Sequence, residues 1–268
     1  MNYILLYISI CLILISLFIV LQFSNKFNLE NIKSNKNVFI SMTTIPERLK
    51  TDWFYNNLKN NLLNLNKNQC LIINIPYFKL NGEKYFISDK IKNLQNSNFI
   101  INRVKKDEGP ITKILPSLRN NLIKDEDIII ICDDDLIYKE LMFNILEENV
   151  IKFPEDISSM CNNTSYGFKN SIEGFKGFAF KKKILKNLLN YNYPNECIKV
   201  DDQIISFYIN MNKIKVRSVP YLNNSNSFCS VIKDKNTPNW FELNFDNRIE
   251  NINLCIKKLN NEYGIYLN

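Results

Sequence analysis

Short runs of consecutive apolar residues alternate along the first half of the chain with segments in which apolar residues recur at helical spacing. Mainly apolar runs predict strands at Val38–Met42, Leu71–Ile75, Phe99–Val104 and Ile128–Cys132. The last run is unbroken, which is typical of a strand buried on both faces. The helical spacing predicts helices at Trp53–Leu65, Thr112–Leu122 and Lys139–Val150, with a weaker one at Tyr85–Leu94. Strands and helices that alternate in this way predict an α/β fold with a mostly parallel sheet.

The second half of the chain is less regular. Aromatic and small residues alternate over Ser171–Phe180, which favours a strand that passes close to a ligand. Further helices are predicted at Lys182–Leu189, Val200–Tyr208 and Trp240–Leu259, and a last strand at Ile214–Val219. We find no internal repeat and no sign of a second independent domain.

The N-terminal segment Asn2–Phe23 is almost wholly apolar and is long enough to span a bilayer as a helix. We therefore expect a transmembrane anchor over residues 1–25, a polar stem over residues 26–37 and one folded domain over residues 38–268. The sequence leaves open on which side of the membrane the folded domain lies. Lysines after the span favour a cytoplasmic domain, whereas Asn-x-Ser/Thr sequons favour the lumen of the endoplasmic reticulum or Golgi in a type II arrangement.

Composition excludes several kinds of chemistry. The chain has no histidine, so histidine bases and histidine metal ligands are excluded. Its seven cysteines form no C-x-x-C pair and demand no particular disulfide. The formal net charge is +7, but lysine is spread along the chain, which argues against a nucleic-acid partner.

Three consecutive carboxylates, Asp133, Asp134 and Asp135, follow the predicted strand at Ile128–Cys132. Open α/β sheets bind ligands at the carboxyl ends of their strands. Alternate residues of an extended segment face the same side, so Asp133 and Asp135 can face one hard divalent cation together. A solvated acidic turn is the alternative, and the buried strand before it favours the metal site.

A second acidic pair, Asp201 and Asp202, opens the helix predicted at Val200–Tyr208. Aspartate is a good helix cap, and capping would account for one of the two carboxylates. In a protein without histidine, an aspartate is also the natural general base for a hydroxyl group. For Asp201 and Asp202, the roles of helix cap and of catalytic base therefore both remain open.

Four segments, in this order, resemble the glycosyltransferases of the GT-A fold, in particular family 2-like transferases of large DNA viruses and microbes. They are Ser41–Arg48 (SMTTIPER), Asp107–Lys113 (DEGPITK), Asp133–Asp135 (DDD) and Val200–Asp202 (VDD). The resemblance implies a Rossmann-like, mostly parallel sheet that binds a UDP- or GDP-sugar. It also implies transfer of the sugar, with inversion, to a hydroxyl group of a glycan, protein or lipid.

The same resemblance implies roles for individual residues. Asp133 and Asp135 would hold Mn²⁺ or Mg²⁺, and Asp202 would be the catalytic base with Asp201 in reserve. The remaining matched positions are expected to contact the nucleotide; they are Thr43, Thr44, Arg48, Asp107, Lys113 and Asp134.

This chain departs from the family pattern in two respects. Many GT-A enzymes supply a metal ligand from a late histidine, and the glycine-rich acceptor loop is reduced here to Gly174 and Gly177. Two other functions therefore stay open, a non-catalytic descendant that binds a glycan or a partner and a nucleotidyl- or phosphotransferase. The phosphate loop G-x-x-x-x-G-K-S/T is absent, which counts against one large branch of the latter.

Overall fold

The computed structural model describes residues 36–160, 170–219, 229–231 and 240–263; for residues 229–231 and 240–248 it describes the backbone alone. The predicted anchor, residues 1–25, and all but the last two residues of the predicted stem lie outside these ranges. Within them, no helix combines the length and the apolar character needed to cross a membrane.

A twisted sheet forms the centre of the fold. Its strands lie in the order β3-β2-β1-β4-β7-β6-β8, and β5 pairs with β9 in a separate two-stranded ribbon. The strands are β1 Val38–Thr43, β2 Gln69–Pro76, β3 Phe99–Val104, β4 Ile128–Ile131, β5 Leu136–Tyr138, β6 Ile157–Ser159, β7 Phe178–Lys181, β8 Val216–Ser218 and β9 Cys229–Val231.

The first four strands form a parallel block, as the alternation of strands and helices along the sequence predicts. β1 pairs with both β2 and β4, and Ser41 is in register with Ile72 and Ile131. β7 runs antiparallel to β4 and to β6, so the sheet is mixed but mostly parallel in the described part of the chain. Because β1 and β4 are parallel neighbours, the segments after Thr43 and after Ile131 emerge at the same edge of the sheet.

Helices cover both faces of the sheet, and each face has its own apolar core. The α-helices are α1 Pro46–Leu49, α2 Asp52–Leu63, α3 Asp89–Lys92, α4 Leu115–Arg119, α5 Glu140–Lys152, α6 Lys182–Leu185, α7 Asp201–Met211 and α8 Trp240–Tyr263.

Three predicted helices are shorter than the sequence pattern indicates. The helix predicted at Lys182–Leu189 is α6 followed by a 3₁₀ segment at Lys186–Asn190. The predicted helix at Thr112–Leu122 is a 3₁₀ turn at Ile111–Lys113 followed by α4, because Pro116 restarts the helix and its missing N–H removes a bond to the preceding turn. The weaker helix predicted at Tyr85–Leu94 is reduced to the single turn of α3. The segment Ser171–Phe180 contains a 3₁₀ turn at Gly174–Lys176 before β7 begins.

A disulfide between the buried residues Cys197 and Cys255 links α8 to the segment before α7. Sequence spacing alone did not require this pairing. In the same region Gly109 has a φ of +72°, and a Cβ there would lie 2.2 Å from the carbonyl oxygen of Ile198. The loop that contains Gly109 can approach the segment before α7 only because this residue has no side chain.

Candidate active site

The three aspartates after β4 do not share one environment. The side chain of Asp134 is only 6% exposed, whereas those of Asp133 and Asp135 are 29% and 33% exposed. The middle carboxylate is thus buried and the two flanking carboxylates are accessible. This is the alternation expected if Asp133 and Asp135 are to bind a ligand.

Arg48 lies in α1, the helix that follows β1, and it binds two of the three carboxylates. Its Nη1 donates to Oδ1 of Asp134, and its Nη2 donates to Oδ2 of Asp135 over 3.0 Å. Burial acts to lower the pKa of Arg48, but the charges of Asp134 and Asp135 outweigh it and raise that pKa. Arg48 is therefore a permanent counter-ion of the acidic turn.

Two asparagines of α2, and a third that directly follows the helix, fix the backbone of the acidic turn and of β5. Nδ2 of Asn57 donates to the carbonyl of Asp134 over 2.6 Å, and Nδ2 of Asn61 donates to that of Leu136 over 2.9 Å. Asn61 also accepts from the N–H of Tyr138, and Asn64 donates to the carbonyl of Tyr138. The helix thereby acts as a rigid support for the turn that presents the carboxylates.

Lys113 connects the two acidic motifs. Its ammonium nitrogen lies 2.6 Å from Oδ1 of Asp133 and 2.9 Å from Oδ2 of Asp201, and its side chain is only 5% exposed. Burial acts to lower the pKa of Lys113, but the charges of Asp133, Asp201 and Asp202 raise it well above its usual value. The distant acidic pair and the acidic turn thus meet in one site through a buried cation.

Neither aspartate at the start of α7 is a helix cap, so the capping interpretation of Asp201 and Asp202 is wrong. Val200 occupies the cap position without a side-chain hydrogen bond, and the two acids are the first residues of the helix. Asp201 pairs with Lys113, and Oδ1 of Asp202 accepts from the backbone N–H of Gly174 over 3.0 Å. Tertiary contacts therefore hold both carboxylates.

Gly174 is a site residue for which the sequence gave only a weak signal, the spacing of the reduced glycine loop. A Cβ at this position would lie 2.4 Å from Nζ of Lys113, 3.0 Å from its Cε and 3.4 Å from Oδ1 of Asp202. The residue thus leaves room for the buried ammonium and also donates its N–H to Asp202. A side chain at position 174 is incompatible with Lys113 in its present place.

Two carboxylates of the site, Asp135 and Asp202, have a pKa well above that of an ordinary aspartate. Burial, followed by the charge of Asp133, raises the pKa of Asp135 to about 6. Burial, followed by the charge of Asp201, raises the pKa of Asp202 to about 7, against the opposing effect of Lys113. Burial likewise raises the pKa of Asp134. Perturbed carboxylates of this kind are typical of functional sites.

The other predicted nucleotide contacts have different surroundings. Thr44 is buried beside Asp134, which it helps to keep ionised, whereas the hydroxyl of Thr43 donates to the carbonyl of Asn74 over 2.8 Å. Asp107 lies apart from the ion-pair network and accepts from the N–H groups of Leu80 and Gly109. The structure thus gives Asp107 an internal role in ordering two loops, and its contact with a nucleotide stays a prediction.

The ion-pair network is rich in negative charge. Among the described residues, Asp133, Asp134, Asp135, Asp201 and Asp202 share it with only two cations, Arg48 and Lys113. Within the same ranges no group of three or more His, Cys, Asp or Glu is arranged to hold a metal ion. Accessible carboxylates in excess suit a hard divalent cation, provided that a substrate supplies further oxygen ligands.

No protein-family model matches the sequence, and no curated protein sequence matches it. Several solved structures match the fold, among them glucosyl-3-phosphoglycerate synthase from Mycobacterium tuberculosis. Its complex with Mn²⁺, uridine diphosphate and phosphoglyceric acid has a TM-score of 0.54 at 11% identity, over 89% of this chain and 82% of that chain. Its complex with Mn²⁺, UDP-glucose and phosphoglyceric acid has a TM-score of 0.53 at 12% identity, over 89% and 83%.

A further complex of that synthase, with Mg²⁺ and uridine diphosphate, has a TM-score of 0.52 at 12% identity, over 89% of this chain and 83% of that chain. The nucleotide in these complexes is a uridine nucleotide, so they give no support to the GDP-sugar alternative. At this level of identity the likeness concerns the fold, and it agrees with the mostly parallel sheet described above. The chain therefore has the GT-A fold of the nucleotide-sugar glycosyltransferases.

Proposed function

We propose that this protein is a metal-dependent glycosyltransferase that moves a sugar from a UDP-sugar to a hydroxyl acceptor with inversion. The observation that carries the proposal is the contact of Lys113 with both Asp133 and Asp201. Through it, a pair of accessible carboxylates at the end of β4 and a second pair at the start of α7 belong to one site on a GT-A fold. The first pair suits the donor, and the second suits the acceptor.

On the donor side, Asp133 and Asp135 would hold Mn²⁺ or Mg²⁺ together with phosphate oxygens of the nucleotide. A divalent cation bound there supplies Lewis-acid chemistry that neutralises a departing diphosphate. Arg48 neutralises Asp134 and part of Asp135, which limits repulsion within the turn. The asparagines of α2 keep the turn in place, so the carboxylates need little reorganisation when a ligand binds.

On the acceptor side, the two aspartates of α7 have different tasks. Asp201 is paired with the ammonium of Lys113, and its side chain is only 9% exposed, so an acceptor has little access to it. Asp202 has a pKa raised to about 7, close to the value suited to a general base near neutral pH. Asp202 would therefore take the proton of the acceptor hydroxyl, while Asp201 and Gly174 hold their neighbours in position.

The direct test offers the full-length protein a panel of UDP-sugars with Mn²⁺ and a set of hydroxyl acceptors. The nucleotide product distinguishes the candidate reactions, because a glycosyltransferase releases UDP whereas a nucleotidyltransferase leaves UMP on its product. A non-catalytic descendant that binds a glycan or a partner would form neither product. We expect UDP release that needs metal and is lost in Asp133→Asn and Asp135→Asn, and NMR of the product should show an inverted anomeric centre.

Attachment to a membrane through residues 1–25 is part of the proposal and has its own test. The full-length chain should stay with the membrane fraction after an alkaline wash, and a chain in which the apolar segment Asn2–Phe23 is made polar should not. Release of the unaltered chain by the wash would remove the anchor from the proposal without affecting the transferase activity.

A further inference from the structure

A loop on the edge of the sheet that carries the site exposes apolar side chains. It comprises residues 77–86 and is called here the rim loop. Phe78, Leu80 and Phe86 within it are 55%, 56% and 66% exposed. The loop follows the carboxyl end of β2, so it borders the same edge of the sheet as the acidic turn.

The exposed side chains project from an ordered backbone. Phe78 and Lys84 are bridged as in an antiparallel pair, and the N–H of Lys79 donates to the carbonyl of Glu83 over 2.7 Å. Tyr85 and Ile87 are buried and attach the base of the loop to the core. Because the loop is fixed at its base and across its turn, its apolar side chains cannot simply fold back into the protein.

Exposed lysines lie within the rim loop and in the segment after β3, whose Val104 carbonyl accepts from the N–H of Tyr77 over 3.0 Å. Lys84 in the loop is exposed, as are Lys105 and Lys106 in the adjacent segment, and no carboxylate of the described residues forms an ion pair with any of them. The nearby acids are already engaged, because Glu83 pairs with Lys50 and Asp107 accepts two backbone N–H groups. The rim loop therefore presents apolar side chains within an excess of positive charge.

We propose that the rim loop rests on an anionic lipid bilayer. This contact would place the edge of the sheet that carries the acidic turn at the membrane surface. Phenylalanine and leucine side chains enter the headgroup region of a bilayer, and lysines near them are attracted to anionic lipids. With Tyr77, which is 46% exposed, the four apolar side chains of the loop expose roughly 400 Å² between them. A stable protein interface buries about 800 Å² on each partner, so the patch is too small for one by itself.

The test uses the full-length chain in vesicles of brominated phosphatidylcholine, with or without phosphatidylglycerol, and needs neither donor nor acceptor. Leu80→Trp places a fluorophore in the rim loop. Leu63→Trp is the matched control, since Leu63 is also an exposed leucine but ends α2 at the opposite edge of the sheet, shortly before β2 begins. The emission of Trp53 and Trp240 is subtracted with the parent protein.

We expect bromine to quench Trp at position 80 more strongly than Trp at position 63, and the difference to grow with phosphatidylglycerol. Replacing Lys84, Lys105 and Lys106 by glutamine should abolish that dependence on anionic lipid. Equal quenching at both positions, or none at position 80, would overturn the proposal. So would a concentration-dependent blue shift at position 80 without lipid, which would instead indicate contact between two copies of the chain.

Discussion

Substituting Gly174 by alanine adds a single methyl group at the place where the two acidic motifs meet. The added Cβ would lie 2.4 Å from Nζ of Lys113. The φ of Gly174 is not in the left-handed region, so alanine itself can adopt the backbone conformation. The variant therefore tests the space for the ammonium and little else.

The expected magnitude follows from the distances. The ammonium must move by at least about 0.6 Å to reach even a tight contact of 3.0 Å, and it begins 2.6 Å from Asp133 and 2.9 Å from Asp201. Loosening such charge-assisted hydrogen bonds costs about 1–3 kcal/mol. A misplacement of about 1 Å in a reacting site can lower the rate by about a hundredfold, and a shift of about 0.6 Å should cost about tenfold or more. We expect a modest loss of stability and a large loss of kcat.

The assay is a double-mutant cycle with Lys113→Met, followed both by the rate of sugar transfer and by the free energy of unfolding. Methionine retains most of the volume of lysine but lacks the atom that the new Cβ meets. If Gly174→Ala acts through Lys113, it should change little in the Lys113→Met background, and the two effects should be strongly non-additive.

Additive effects of the two substitutions would contradict this explanation, because they would mean that Gly174 and Lys113 act independently. A transfer rate within twofold of the parent in Gly174→Ala alone would contradict it as well. Either result would separate the acidic turn from the acidic pair of α7 and remove the main support for a single site.

Three other predictions follow from the same structure. Since burial raises the pKa of Asp202 to about 7, kcat should rise as the pH increases through 7. The variant Asp202→Asn should bind the donor but not transfer its sugar. Unchanged transfer would exclude Asp202 as the base. The free energy of unfolding depends on pH in the opposite direction. The contribution of Asp202 to it is fully present below the unfolded-state pKa of 3.8 and is lost as the pH rises through about 7. Asp202→Asn should therefore be at least as stable as the parent at pH 8 in thermal denaturation. Asn57→Ala removes the hydrogen bond to the carbonyl of Asp134 and should lower the free energy of unfolding, measured with denaturant, by about 1–3 kcal/mol. It should also weaken metal affinity in calorimetry. Unchanged affinity would show that α2 does not position the turn. Reduction of the Cys197–Cys255 disulfide, whose cysteines are 58 residues apart, should lower stability by up to about 4 kcal/mol in the chain-entropy estimate, and an unchanged Tm under reductant would contradict it.

The sheet was readable from the sequence because its central strands are buried on both faces. The run around Ile130 has no polar interruption, and those around Ile40 and Ile73 contain one buried polar residue each, Ser41 and Asn74. Burial on both faces of a parallel strand favours such mainly apolar runs. The short strands β5, β6 and β9 were missed, because three residues such as Leu136–Tyr138 are too few to show a period. β5 is held by its pairing with β9 and by hydrogen bonds from Asn61 and Asn64, which no local pattern reveals.

The candidate site could be predicted only in part, because some of its contacts join residues that are far apart in the sequence. Acidic residues at the end of an apolar run indicate the edge of a sheet, so Asp133 and Asp135 were predictable from local sequence. The environment of Asp201 was not, since its partner Lys113 lies far away along the chain and capping explained the same position equally well. The need for glycine at position 174 is visible only once the ammonium of Lys113 is in place.

The central claim is that the acidic turn binds a cation and a uridine nucleotide together. Titration calorimetry of UDP into the full-length protein, with and without Mn²⁺, tests it most directly. We predict binding that strengthens markedly with Mn²⁺ in the parent and loses this dependence in Asp133→Asn and Asp135→Asn, with folding retained. UDP binding that is indifferent to Mn²⁺, or an unchanged metal effect in both variants, would contradict the claim.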